Sequence, residues 1–312
     1  MVISKFWKGT LLTLFAASCW GLVSPLAKLL AAGGLNLLSV MVFRALFTAV
    51  CVGVWLVATK QWSLFRVNRD TLRLYLLSGV LSVAMGGGGF LTSLEYLKVA
   101  EALVIHYTFP LVALIGSLYI THEKPTIPQA IAGILIVIGV FIGMGGSLSA
   151  LSKVSLLGVF WGLIAVAGMA GQALTARKFS LTHNMHPVAV LFWSNLFGFI
   201  ILFLFKSLHG WDDLAFLTIP LVGIMTLQAF TGSLLAYGAF FAALKDIPAA
   251  MSTLLCPLEI VVAVALTALL AGEIPTSRQI IGCALIFAAL ALTAMPRKYV
   301  FHLHHVHIIR RS

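Results

Sequence analysis

The chain has 312 residues, of which 61% are hydrophobic and only 9% are charged, and its formal net charge is +11. This composition excludes an ordinary soluble globular domain and indicates an integral membrane protein. Because an apolar helix of roughly 20 residues spans the hydrocarbon core, the chain has room for about ten membrane helices.

Ten apolar segments follow one another along the chain. They cover residues 9–31, 37–58, 74–94, 99–121, 128–147, 155–176, 187–206, 217–241, 248–271 and 278–295. The segments lack strand alternation and are too long for barrel strands, so the outer-membrane barrel class is excluded. The first segment is not followed by a small-residue cleavage pattern, so we expect a membrane helix there rather than a signal peptide. The predicted fold class is an all-α integral membrane protein.

A repeat of 150 residues divides these segments into two groups of five. The pattern Glu-x-Pro-Thr-x-x-Gln occurs at residues 123–129 and again at residues 273–279. An odd number of helices in each copy means that the second copy enters the membrane from the opposite side. We therefore predict two inverted repeats, residues 1–150 and 151–298, followed by a basic His-rich cytoplasmic tail at 299–312. Inverted repeats are typical of carriers that work by alternating access.

The distribution of basic residues predicts the orientation of the chain. Fourteen of the 20 Lys and Arg residues collect on one side of the predicted helices. Since basic residues accumulate in cytoplasmic loops, we expect both termini in the cytoplasm of a bacterial cell, with the helices in its inner membrane. The positive net charge then indicates attraction to anionic membrane lipids rather than to nucleic acid.

At this point the sequence resembles the EamA-like ten-helix exporters of the drug/metabolite transporter superfamily. The resemblance covers nearly the whole chain and rests on Ala17-Ser18-Cys19-Trp20-Gly21, Lys28, Phe43-Arg44, Glu123, Gly272-Glu273 and Leu258-Glu259. It implies a carrier of amino acids or related amphipathic metabolites. One departure concerns the ninth helix, where the family usually has Leu-Glu-Pro. Here Ile260 follows Glu259, and the proline lies at Pro257.

Ionisable side chains at membrane depth are the first candidates for contact with a solute, because their burial is costly. Glu259 lies near the middle of the ninth segment and could exchange protons or hold a substrate amine. Alternatively, it braces the helix near Pro257. Arg44 suits a substrate carboxylate through its guanidinium fork, whereas structural pairing or snorkelling to the outer surface is the alternative.

His106 and Tyr107 precede Pro110 in the fourth segment and are expected to face inward. They could bind a polar solute, and His106 is a second candidate for proton coupling. The alternative is one stabilising hydrogen bond to a neighbouring helix. Further substrate-binding candidates are aromatic or amide side chains well inside the segments, namely Trp20, Gln172, Trp193, Asn195, Gln228 and Tyr237.

Four consecutive glycines, Gly86, Gly87, Gly88 and Gly89, interrupt the third segment, although each glycine weakens a helix by roughly 1 kcal/mol relative to alanine. They allow close helix packing, or they soften the helix as a hinge. The two uses are compatible, and Pro110 and Pro257 are further hinge candidates because proline bends a helix.

Motifs of hydrolases, metalloproteases and nucleotide-binding proteins do not occur, so we predict neither enzymatic activity nor a cofactor. The histidines of the tail, His302, His304, His305 and His307, could bind a metal, but a basic membrane-surface segment is the favoured interpretation and no metal site is predicted. The favoured function is secondary transport of a small organic metabolite, in the export direction, with protons or a counter-transported solute as partner. The alternatives are facilitated diffusion, exchange or drug efflux without proton coupling, and a non-transporting membrane sensor.

Overall fold

The computed structural model describes residues 2–97, 99–145, 155–183, 185–271 and 274–294. Ten helices account for most of them, and the described residues contain no strand. The helices are α1 (Val2–Gly21 and Val23–Ala32), α2 (Leu37–Ala58), α3 (Arg69–Ser78, Gly79–Gly88 and Gly89–Tyr96), α4 (Val99–His106 and Phe109–Tyr119), α5 (Ile127–Gly143), α6 (Leu156–Thr182), α7 (Pro187–Ser207), α8 (Ile219–Ala229, Phe230–Leu235 and Ala236–Ala243), α9 (Ala249–Leu255 and Leu258–Ala271) and α10 (Ser277–Ala294). The prediction of an all-α membrane protein is confirmed.

Within those described ranges, nine helices are long and apolar enough to cross a membrane, and α5, with 17 residues, is somewhat shorter. The first helix begins earlier than predicted and is interrupted at Leu22, where one helical segment ends and the next begins. Two predicted features, the His-rich tail at 299–312 and the helix end at Gly272-Glu273, lie outside the described residues.

The repeated sequence pattern forms the same helix cap at the start of α5 and of α10. The Thr126 N–H donates to Gln129 Oε1 at 2.8 Å, and the Thr276 N–H donates to Gln279 Oε1 at the same distance. This reciprocal arrangement is a capping box, which satisfies donors that a helix N-terminus leaves free. The spacing of Thr and Gln is thus a requirement of the cap.

The irregularities of the helices also recur at corresponding places in the two repeats. Short 3₁₀ helices at Trp62–Phe65 and Asp212–Phe216 precede π-helical segments at Gly79–Gly88 in α3 and Phe230–Leu235 in α8. The fourth helix of each repeat is interrupted after His106 in α4 and after Leu255 in α9. The interruption is therefore retained in α9 although its proline occupies a different position.

The glycine run of α3 packs closely against α6. A Cβ atom added to Gly168 would lie 2.5 Å from both the Gly86 nitrogen and the Leu81 oxygen. A Cβ added to Gly89 would lie 3.2 Å from the Ala165 nitrogen. The geometry therefore supports the packing interpretation of the run, and its use as a hinge remains a prediction.

The two fifth helices form the most extensive helix pair in the described structure, which we call the α5–α10 interface. A Cβ added to Gly282 would lie 2.5 Å from the Gly139 oxygen and 2.7 Å from the Gly143 Cα. Glycine allows the two backbones to approach this closely. The interface therefore joins the two repeats through their backbones as well as their side chains.

The interior of the bundle is built around α8 and α9. Phe240, Phe241, Leu254 and Leu255 are almost fully buried and belong to one large apolar cluster. Large apolar side chains elsewhere on the helices, Ile219 among them, remain exposed at the surface of the bundle. Such a surface suits contact with lipid.

Candidate functional site

A small cavity with several polar side chains in its lining lies between α2, α3, α7 and α8. Its lining combines one cation, one phenol, several hydroxyls and an amide, contributed by both repeats. The lining residues are Met41, Arg44, Ala45, Ser82, Val83, Ser194, Asn195, Ser233 and Tyr237. Three of the sequence-predicted candidates, Arg44, Asn195 and Tyr237, are therefore brought together in one place.

Arg44 is held in this cavity by the π-helical segment of α8. Its Nη2 donates to the Gly232 carbonyl oxygen at 3.1 Å, and its Nη1 lies 3.5 Å from the Met41 sulfur. The side chain is nearly buried, which does not fit snorkelling to the outer surface. Among the residues that the structure describes, Arg44 pairs with no carboxylate, and its Nε has no hydrogen-bond partner.

The Gly232 carbonyl also accepts a hydrogen bond from Trp20 Nε1 at 3.0 Å. One backbone oxygen thereby positions two predicted site residues from α1 and α2. A Cβ added to Gly232 would collide with Val23 and would lie 3.2 Å from the Arg44 Nη2. Glycine at this position thus permits the close approach of the guanidinium.

The other polar groups of the cavity are partly connected to one another. Ser233 Oγ donates to Asn195 Oδ1 at 3.3 Å, while Asn195 Nδ2 donates to the Leu191 carbonyl in its own helix. Tyr237 packs edge-to-face on Trp20, with ring centroids 5.1 Å apart. These contacts fix the side chains of the lining, and the hydroxyls of Ser82 and Ser194 donate to carbonyls of their own helices.

A second polar group lies where α4 and α9 are interrupted. The Tyr107 hydroxyl donates to Glu259 Oε1, which joins the two interrupted helices. His106 is buried against the rings of Phe90, Tyr107 and Phe109, and its Nδ1 has no partner among the described residues. The contact of Tyr107 with Glu259 fits the bracing interpretation of that carboxylate and does not test proton exchange.

Tyr237 lies in the cavity lining with Arg44, and its ring packs on the rings of Trp20 and Phe241. Gly21 allows α1 to pass close to α9, because a Cβ there would lie 3.0 Å from the Glu259 carbonyl oxygen. Glu259 itself does not line the cavity of Arg44.

The remaining candidates lie in different surroundings. Gln228 Nε2 donates to the Val23 carbonyl at 3.1 Å, and its Oε1 has no partner within the described part of the chain. Gln172 is fully buried, and both its amide atoms lack a described partner. Trp193 donates to the Leu64 carbonyl at 3.3 Å and stacks on Tyr75, outside the cavity lining.

Opposite ends of the bundle carry two polar clusters that join the repeats, and each cluster contains an ion pair. The first, which we call the Arg177 cluster, lies near the end of α6. Arg177 donates from Nε and Nη2 to Glu123 Oε1 at 2.9 and 2.7 Å. Its Nη1 donates to the carbonyls of Leu244 and Lys245, at 3.0 and 3.2 Å, where α8 ends.

The second ion pair, which we call the Asp213 cluster, lies at the other end because α7 runs back across the bundle from the end of α6. Lys206 Nζ lies 3.1 Å from Asp213 Oδ1, and the Asn36 N–H donates to Asp213 Oδ2 at 3.1 Å. Burial alone would raise the pKa of the Asp213 carboxyl, but the Ser39 hydroxyl, the Lys206 ammonium and the Asn36 N–H together lower that pKa below its ordinary value.

Sequence reasoning missed the serines of the cavity and the ion pairs at the two ends of the bundle. Ser82, Ser194 and Ser233 are common residue types in membrane helices, where a hydroxyl often bonds only to its own helix. One signal was available, because Ser194 is offset by 150 residues from Arg44. Arg44 and Ser194 thus occupy corresponding positions in the two repeats, and both line the same cavity.

Comparison with known proteins relates both halves of this structure to one family. The model of the EamA-like transporter family matches residues 7–144 and again residues 156–295. The "Uncharacterized transporter YxxF" of Bacillus subtilis (strain 168) is 26% identical over 262 residues, which are 81% of this chain and 78% of that protein. A solved crystal structure shares the fold with a TM-score of 0.74, at 14% identity, over 91% of this chain and 96% of the other. The chain, matched by the family model in both of its repeats, belongs to the EamA-like transporter family.

Proposed function

We propose that this protein is a secondary-type carrier of small organic metabolites, with amino acids and related amphipathic solutes as the first class. In this proposal it lies in the inner membrane of a bacterium with both termini in the cytoplasm. It exports its solute by alternating access, so that the cavity opens first to one side of the membrane and then to the other. An ion gradient or a second solute supplies the energy for any uphill step.

The observation that carries the proposal is a cavity whose polar lining groups come from both repeats. At each end of the bundle, a polar cluster also connects the first repeat to the second. The cavity includes Arg44 and Ser82 from the first repeat, and Asn195 and Tyr237 from the second. The Arg177 cluster joins the repeats at one end and the Asp213 cluster joins them at the other. A solute could leave towards either side only after one of these connections opens.

Transport in reconstituted vesicles tests this proposal. Purified protein is inserted into vesicles loaded with a mixture of free amino acids and other small metabolites, and the solutes that leave are identified by mass spectrometry. We expect selective efflux of a subset of them, faster than from protein-free vesicles. Lys178→Gln, which alters an exposed cation, is the matched control and should transport like the unmodified protein. Equal efflux with and without protein would contradict the proposal.

Facilitated diffusion or exchange without proton coupling is a second candidate mechanism, favoured by the bond between Tyr107 and Glu259. A carboxylate occupied by a tyrosine hydroxyl is suited to holding α4 and α9 together. Glu259→Gln separates the two mechanisms. Under proton coupling, this variant loses accumulation driven by a pH gradient but retains exchange. Under the second mechanism, a pH gradient drives no accumulation even in the unmodified protein.

A further inference from the structure

We propose that Arg44 binds a carboxylate of the transported solute, so that the carrier takes organic acids and zwitterions in preference to their neutral amides. This inference rests on the proposed transport function and adds the chemical group that the cavity recognises. It concerns a single carboxylate held by the guanidinium in the cavity of α2, α3, α7 and α8.

The described lining of the cavity does not balance the charge of Arg44. A guanidinium keeps its charge in proteins, and a charge buried without a partner is costly. Only 8% of Arg44 is exposed, and its described partners are a neutral carbonyl and a thioether. The described lining contributes no carboxylate that could balance it. An anionic ligand would supply the missing charge.

The described contacts of the Arg44 guanidinium leave some of its N–H donors free. The bonds to Gly232 and Met41 occupy one hydrogen each on Nη2 and Nη1, and Nε remains without a partner. A guanidinium offers its Nε–H and a neighbouring Nη–H as a parallel pair, which matches the two oxygens of a carboxylate. The Gly232 carbonyl holds the guanidinium in place, so the orientation of this pair is fixed before the ligand arrives.

The polar groups that surround Arg44 in the cavity are neutral. Ser82, Ser194, Ser233 and Tyr237 bring hydroxyls to the cavity, and Asn195 brings an amide. Neutral groups of this kind orient a ligand without adding charge. One cation among neutral groups balances one negative charge, which favours a single carboxylate over a phosphate or a dicarboxylate.

A matched series of ligands tests the inference by binding rather than by transport. The probes are valine and phenylalanine, each with its amide, its deaminated carboxylic acid and its decarboxylated amine. Binding to the purified full-length protein is measured by isothermal titration calorimetry. We expect acids and amino acids to bind at least about tenfold more tightly than the amides and amines. Equal affinities for acid and amide, or no binding of any carboxylate, would overturn the inference.

Variants then locate the interaction. Arg44→Gln should remove the preference for acid over amide, whereas Arg44→Lys should restore part of it, because it keeps the charge but lacks the fork. Lys178→Gln should keep the full preference. If Arg44→Gln does not fold, the acid-to-amide ratio of the unmodified protein still decides. Tighter binding of sulfonate or phosphate analogues than of the carboxylate would also overturn the assignment.

Transport with the same probes separates this inference from the proposed function. If vesicles transport the amides as fast as the acids, and Arg44→Gln does not alter that ratio, the carrier function stands and the carboxylate assignment fails. If no probe is transported while the acids still bind through Arg44, the carboxylate site stands and the carrier function fails for these solutes.

Discussion

The Arg177 cluster and the Asp213 cluster both fasten the first repeat to the second, but they are built around opposite charges. At one end a cation is central, and it bonds to the carbonyls of Leu244 and Lys245, where α8 ends. At the other end an anion is central, and it accepts the N–H of Asn36, where α2 begins. Each charge therefore complements a helix end, since helix C-termini attract cations and helix N-termini attract anions.

The two clusters also differ in how they cross between the repeats. Among the described residues, the hydrogen bonds from Arg177 to the first repeat go to the carboxylate of Glu123, so this connection depends on an ion pair. Asp213 reaches the first repeat through a backbone N–H, and its ion pair with Lys206 lies within the second repeat. The first connection should therefore respond more strongly to the loss of a charge than the second.

The largest effect is expected for Arg177→Gln. This change removes bonds to Glu123 and to two carbonyls, and it leaves a largely buried carboxylate without its cation. Breaking such a pair costs about 3 kcal/mol or more. Thermal unfolding of the detergent-purified protein measures this loss, with Lys178→Gln as a neighbouring control of the same chemistry. A loss no larger than that of the control would show that the cluster does not hold the repeats together.

A smaller effect, of about 1 kcal/mol, is expected for Asp213→Asn, because the amide oxygen still accepts the Asn36 N–H. The effect should depend on pH. The folded-state pKa of Asp213 lies below its ordinary value of 3.8, so its contribution to stability is present at neutral pH and is lost as the pH falls through the folded-state pKa.

The measurement is the unfolding temperature of both proteins from neutral pH down to about pH 3, on either side of the ordinary carboxyl pKa. The difference in unfolding temperature between the unmodified protein and Asp213→Asn should be largest near neutral pH and should become smaller as the pH falls. A gap that widens as the pH falls would contradict the lowered pKa of this carboxyl.

The smallest expected effect is the coupling between the two ends. Glu123→Gln and Asp213→Asn alter opposite ends of the bundle and share no bonding partner. Their losses of unfolding free energy should therefore add to within about 0.5 kcal/mol. The four proteins of this double-mutant cycle are compared by thermal unfolding. A larger coupling would mean that the state of one cluster depends on the state of the other.

The sequence predicted much of the fold because its signals are local. Apolar length predicted the helices, and the repeated Thr and Gln mark helix starts that proved to be capping boxes. The π-helical segments were not predicted, because the change from i→i+4 to i→i+5 hydrogen bonds within a helix leaves no mark in the apolar pattern. The glycine run indicated an unusual place in α3, but only the structure shows which backbone, that of α6, comes close to it.

The cavity was predictable only in part. Arg44, Asn195 and Tyr237 drew notice as polar groups within apolar segments, and the structure brings them together. Trp193 met the same criterion but packs on Tyr75, because an aromatic ring serves a core as well as a binding site. Arg44 is positioned by its hydrogen bond to the carbonyl of Gly232. Because every residue has a backbone carbonyl, the amino-acid sequence does not show which one a buried cation will contact.

The α5–α10 interface limits how the chain can vary. At Gly282 even a methyl group would come within 2.5 Å of the Gly139 oxygen, which belongs to a backbone that cannot rotate away. The cavity side chains can be exchanged for others of similar size, and this leaves room for new solute preferences. Position 282 has no such freedom. Variants selected for a new solute should therefore differ in the residues around Arg44 and should keep glycine at position 282.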